Sequence, residues 1–104
     1  IVHGFTVVSG HLPPGHEKSL VDWEALARSG ATLAVIMGVK NAPAIASTLF
    51  AASLSPSTPC AIIQEGTLST ERAYRCTLAT LAQTITEHDI SSPAVYVIGE
   101  VAGL

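Results

Sequence analysis

Charge is what this sequence lacks most. Only 12% of its 104 residues are Asp, Glu, Lys or Arg, while 48% are hydrophobic; an ordinary soluble domain carries about 25% charged residues. That scarcity leaves too little polar surface to cover a monomer, so the chain is expected to oligomerise or to be one part of something larger. The five basic residues are outnumbered by eight acidic ones, for a net charge of -3. This is the wrong sign for nucleic-acid binding. Long apolar runs are missing too. The longest, Ala31 to Val39, is interrupted by Thr32 and Gly38 and falls far short of the ~18 residues of a membrane span. Aromatic residues are 5% of the chain, so an aliphatic core is expected. Cys60 and Cys76, the two cysteines, have the spacing of neither a disulfide framework nor a CxxC site and read as reduced thiols of a cytoplasmic protein. His3, His11, His16 and His88 lack HxxxH or HExxH spacing, so no metal site is expected.

What is present is a series of short, punctuated segments. The opening Ile1-Val2-His3-Gly4 has no basic region and no cleavage site, so it is not expected to be a signal peptide and reads as the start of an excised piece. Phe5 to Ser9 is a β-branched run ended by Gly10, a buried strand. The prolines and glycines of residues 10–19 make a loop. Asp22 is placed to cap a helix from Trp23 to Arg28, with Gly30 as its stop. Thr32 to Met37 is apolar almost throughout and predicts a central strand covered on both faces. Asn41 is placed to cap the next helix, with Pro43 in its first turn. Pro59 to Gln64 reads as a third strand and Arg72 to Thr77 as a fourth. Leu78, Leu81, Ala82 and Ile85 then recur at helical spacing behind a capping Thr77. Ala94 to Ile98 is the last strand. Five strands and three helices in the order β-α-β-α-β-β-α-β predict a single α/β domain, a three-layer sandwich on a mixed sheet.

Few residues in this frame carry chemistry. Gly10 to Ser19 approaches a phosphate-binding loop, but His16 stands where the lysine must be and Lys18-Ser19 come two residues late. Two prolines also remove amide donors. Ser9 and His11 lack the GxSxG context and an orienting acid. Met37-Gly38 and Glu65-Gly66-Thr67 each follow an apolar strand, on the rim where open α/β sheets bind ligands. Taken singly, Met37 reads as a core filler and Gly66 as a turn residue. Together they mark a cleft whose ligand these residues do not identify.

The whole chain also resembles a known family. Val7-Val8-Ser9-Gly10-His11, Asp22-Trp23-Glu24-Ala25-Leu26-Ala27, Ile36-Met37-Gly38-Val39, Gln64-Glu65-Gly66-Thr67, Arg72, Thr77-Leu78-Ala79-Thr80-Leu81 and Val97-Ile98-Gly99-Glu100-Val101 follow one another as in the C-terminal half of the uroporphyrinogen-III C-methyltransferases, which are tetrapyrrole (corrin/porphyrin) methylases. The resemblance implies two α/β halves with S-adenosylmethionine between them and S-adenosylhomocysteine left as product. It implies methylation of uroporphyrinogen III to precorrin-2, towards sirohaem and cobalamin, by a cytoplasmic homodimer. Residues 1–104 would be the C-terminal domain, inactive without an N-terminal half that holds the catalytic groups. Met37 and Gly66 match cofactor contacts of the family, and Gly38 and Thr67 adjoin them. Cys76 stands where relatives more often have glycine. A non-catalytic dimerisation or binding module, or another tetrapyrrole methylase of the same fold, are the alternatives.

Overall fold

The computed structural model describes residues 5–64, 72–90 and 94–99. Its elements are β1 (Phe5–Ser9), α1 (Trp23–Arg28), β2 (Thr32–Ile36), α2 (Ala42–Ala51), β3 (Pro59–Gln64), β4 (Arg72–Thr77), α3 (Leu81–Glu87) and β5 (Ala94–Ile98), with a 3-10 turn at Leu78–Thr80 leading into α3. The strands form one mixed sheet in the order β1-β2-β5-β3-β4. β1 and β2 are parallel, while β5 runs antiparallel to both β2 and β3, and β3 antiparallel to β4. The α/β class, the five strands and the mixed sheet are as expected.

Local signals set most boundaries. The Asp22 carboxylate accepts from the Ala25 amide at 3.0 Å, capping α1, and Gly30 takes the left-handed φ of +76° just past its end. At Thr77 the backbone amide donates to the Thr80 hydroxyl at 3.0 Å, starting the 3-10 turn. Two readings change. β2 stops one residue early because Met37 turns to φ +53°. Asn41 occupies the N-cap position of α2 but its side chain makes no capping bond, having partners elsewhere.

The connections place the helices. β1-α1-β2 and β2-α2-β3 advance the same way across the sheet, and right-handed crossovers then put α1 and α2 on one face. β4-α3-β5 reverses both strand direction and advance, which returns α3 to that same face. One core results: Trp23, Ile45, Leu49, Leu81 and Ile85 from the helices close on Leu33, Val35, Cys60, Ile62, Tyr96 and Ile98 from the sheet. Among the described residues there are therefore two layers, not three. The opposite face carries Phe5, Val7, Ala34, Ile36, Ala61, Ile63, Val95 and Val97 in cross-strand register, and no described helix lies over it. β1, expected as a buried strand, is instead a half-exposed edge strand, with Phe5 and Val7 59% and 60% exposed. The shortage of charge noted in the sequence is thus concentrated on a bare apolar sheet face.

Candidate functional site

The carboxyl ends of β1, β2 and β3 and the amino ends of β4 and β5 share one edge of the sheet. Here β1 passes into Gly10-His11 and β2 into Met37-Gly38. The two backbones are joined where the Gly10 amide donates to the Ile36 carbonyl at 2.7 Å. They are also in contact: a Cβ built on Gly10 would lie 2.6 Å from the Gly38 Cα, well inside the ~3.5 Å at which carbon atoms normally meet. Glycine at position 10 is what lets the two strand ends close.

Two side chains lock this junction. The Tyr96 hydroxyl, buried on β5, donates to the Gly38 carbonyl at 3.0 Å. Burial pushes its pKa up from the ordinary phenol value, and the neighbouring Cys60 adds to the effect. The Asn41 amide donates to the carbonyls of Gly10 at 2.8 Å and His11 at 3.1 Å. Asn41 therefore ties the start of α2 to the loop after β1, which is why it does not cap its own helix. Neither role was foreseen from the sequence. The asparagine looked like an ordinary cap, and the partner of Tyr96 lies 58 residues away.

Met37 is held at φ +53°, a conformation that strains a non-glycine residue by roughly 1–2 kcal/mol. Such strain persists only where the surroundings enforce it, and it gathers at binding and catalytic sites. The residue is 59% exposed, so it is not a core filler: its flexible, polarisable thioether stands open at the sheet edge. Gly38 has a different reason to be glycine. A Cβ there would point inward, 2.6 Å from Val35 Cγ1 and 2.8 Å from the Tyr96 hydroxyl oxygen, so its missing side chain serves packing rather than room for a ligand. Gly66 and Thr67 lie outside the described residues; β3, which leads to them, ends at this same edge with Gln64.

Among the described residues the edge forms a wall rather than an enclosed pocket. A partly open hollow of about 160 Å³ lies at the other end of the sheet, beside Gly30, Thr32 and Gly99. Of Gly10, His11, Met37, Gly38 and Asn41, only the exposed His11 is titratable. No group of three His, Cys, Asp or Glu side chains that could hold a metal occurs among the described residues, nor does any described helix have the length and apolarity to cross a membrane. The arrangement can bind and orient a ligand against backbone and thioether. Among the described residues it does not bring together an acid, a base and a nucleophile.

Comparisons with known proteins place this geometry. The chain is 38% identical over 99 residues to an S-adenosyl-L-methionine-dependent uroporphyrinogen III methyltransferase of Methanosarcina barkeri (strain Fusaro / DSM 804), covering 95% of this chain and 39% of the relative. It is 44% identical over 91 residues to a uroporphyrinogen-III C-methyltransferase of Bacillus subtilis (strain 168), covering 83% and 19%. Its fold matches a uroporphyrin-III C-methyl transferase of Thermus thermophilus, solved with S-adenyl homocysteine, with a TM-score of 0.77 and 30% identity over 98% of this chain and 44% of that one. The chain thus spans well under half the length of these relatives. The model of the tetrapyrrole (corrin/porphyrin) methylases matches residues 1–82, and the chain belongs to that family.

Proposed function

We propose that this chain forms the C-terminal half of an S-adenosylmethionine-dependent methyltransferase acting on uroporphyrinogen III and giving precorrin-2. Its part is to supply one wall of the cofactor site. The observation that carries this is Met37, a strained and solvent-open thioether on a junction locked by Gly10, Tyr96 and Asn41. A thioether suits packing on an adenosine ring, and the matched Thermus structure was solved with S-adenyl homocysteine. Gly38 would contribute its backbone, and Gly66 and Thr67 would join from the segment after β3. When bound, the cofactor supplies a methyl group from its sulfonium. The residues of this chain hold and orient it, and orientation is a large share of the rate in such a transfer.

The second wall and the acid-base groups would come from an N-terminal half of the same protein, so this half is inactive alone. The bare sheet face supports that division, because Phe5, Val7 and Ile63 need a cover. The same face gives a homodimer, or a purely interacting module, its observation. A cytoplasmic location fits the pathway of sirohaem and cobalamin synthesis.

The test is Met37→Ala in the intact protein, read by calorimetry with S-adenosylhomocysteine and by methyl transfer to uroporphyrinogen III. Affinity should fall about tenfold, roughly 1.4 kcal/mol, with the unfolding midpoint unchanged or raised. Unchanged affinity removes Met37 from the site. Transfer only to a different tetrapyrrole makes the protein another methylase of this fold, and no binding of S-adenosylhomocysteine leaves the interaction module.

A further inference from the structure

Cys60 on β3 and Cys76 on β4 stand directly opposite each other in the antiparallel register. The Leu78 amide donates to the Thr58 carbonyl at 2.9 Å, one step of two residues along both strands. Hydrogen-bonded pairs recur at that step in an antiparallel ladder, so Cys60 and Cys76 form such a pair, with Cα atoms about 5.5 Å apart. A disulfide spans roughly 4.4–6.8 Å between Cα atoms. Opposed residues also point to the same face, here the one under α3. Their burial differs. Cys60 is 1% exposed, with its thiol near the Thr58 carbonyl at 3.7 Å, whereas Cys76 is half-buried and packs at the margin of the core.

The environment divides the two thiols further. Hydrogen bonding from Cys60, helped by the Thr84 hydroxyl on α3 and opposed by burial, brings the Cys76 thiol down to about 7. The same contact with Cys76, together with burial and the charge beside it, pushes the Cys60 thiol up. Cys76 is therefore the thiol that ionises first, and Cys60 opposite it stays protonated.

We propose that Cys60 and Cys76 are a dithiol site for hydroperoxides that closes to an intrachain disulfide. The Cys76 thiolate attacks one oxygen of hydrogen peroxide, the O–O bond breaks, and the departing hydroxide takes a proton to leave as water. Cys76 is then a sulfenic acid. The Cys60 sulfur attacks the Cys76 sulfur, the S–O bond breaks, and the thiol proton leaves with the hydroxide as a second water. Two thiols have lost two electrons and one peroxide has become two waters. An external dithiol reverses the reaction by exchange. The new bond encloses residues 61–75, the stretch that includes Gly66 and Thr67. The pairing stands on the β3–β4 register and is independent of the methyltransferase reading.

The experiment treats the intact protein with equimolar hydrogen peroxide at pH 7, blocks remaining thiols with iodoacetamide, and maps an unreduced tryptic digest by mass spectrometry. Cleavage after Lys40, Arg72 and Arg75 puts the cysteines on different peptides, so the disulfide appears as a linked pair that dithiothreitol separates. That linked pair is the expected main product. In Cys60→Ala, Cys76 should stop at a sulfenic acid that dimedone traps, while in Cys76→Ala the buried Cys60 should stay a thiol. The proposal fails if both wild-type cysteines remain alkylated after peroxide, if Cys76 oxidises without linking, or if the link joins two copies and doubles the mass on a non-reducing gel.

Discussion

Gly10→Ala tests the junction beneath Met37 most sharply. The added Cβ would lie 2.6 Å from the Gly38 Cα, 2.9 Å from Val35 Cγ1 and 3.0 Å from Ile45 Cδ1. A valine or isoleucine methyl can turn away, but the Gly38 Cα is backbone. That backbone is pinned from both sides, by the Gly10 amide on the Ile36 carbonyl at 2.7 Å and by the Tyr96 hydroxyl on the Gly38 carbonyl at 3.0 Å. Relief needs a shift of about 1 Å between two joined strand ends. This belongs at the upper end of overpacking losses, about 3 kcal/mol. For a domain of this size it lowers the unfolding midpoint by roughly 12–24 °C. Gly15→Ala is the control, since a Cβ there meets nothing within 4 Å and only the φ of +85° is strained; it should lose about 1 kcal/mol. Urea unfolding followed by fluorescence of Trp23, the one tryptophan of the sequence, measures both. A Gly10→Ala variant no less stable than Gly15→Ala would refute the close-contact reasoning.

Three further outcomes follow from the same contacts. Asn41→Ala should lose about 1–2 kcal/mol with its two carbonyl partners, and Asn41→Asp should lose more, because a carboxylate cannot donate to them; equal stability of Asn41→Asp and wild type in urea would contradict this. Burial raises the folded pKa of Tyr96 above the ordinary phenol value of about 10. Its contribution is therefore complete below pH 10 and declines as pH rises through the folded value, since the unfolded chain ionises first. Tyr96→Phe should be less stable at pH 8 and show a shallower decline between pH 10 and 11. On the bare face, Val7→Lys with Ile63→Lys should leave the unfolding midpoint within a few degrees, yet shift sedimentation of this chain towards monomer; unchanged association would place the sticky surface elsewhere.

Much of the fold is legible because local chemistry and tertiary structure agree. Asp22 and Gly30 mark the ends of α1 by capping and by φ alone, and the apolar run of β2 announces a strand buried among neighbours. What is not legible depends on long-range placement. β5 enters the sheet between β2 and β3, and no local feature of Ala94–Ile98 says so. That insertion brings Tyr96 under Gly38, while the β3–β4 register sets Cys60 against Cys76. The order of strands and helices predicts three layers, but three right-handed crossovers put every described helix on one side. Met37 was legible as a residue at a strand end. Its left-handed backbone and exposure, which separate a ligand contact from a core filler, emerge only once Gly10, Asn41 and Tyr96 have fixed the turn around it.

The central claim is that this chain is one wall of a cofactor site completed by another half. Calorimetric titration of S-adenosylhomocysteine into this chain and into the intact protein tests it most directly. Micromolar binding by the intact protein and millimolar or weaker binding by this chain, a gap of at least ~4 kcal/mol, is the result expected. Equal, tight binding by the chain alone would contradict it.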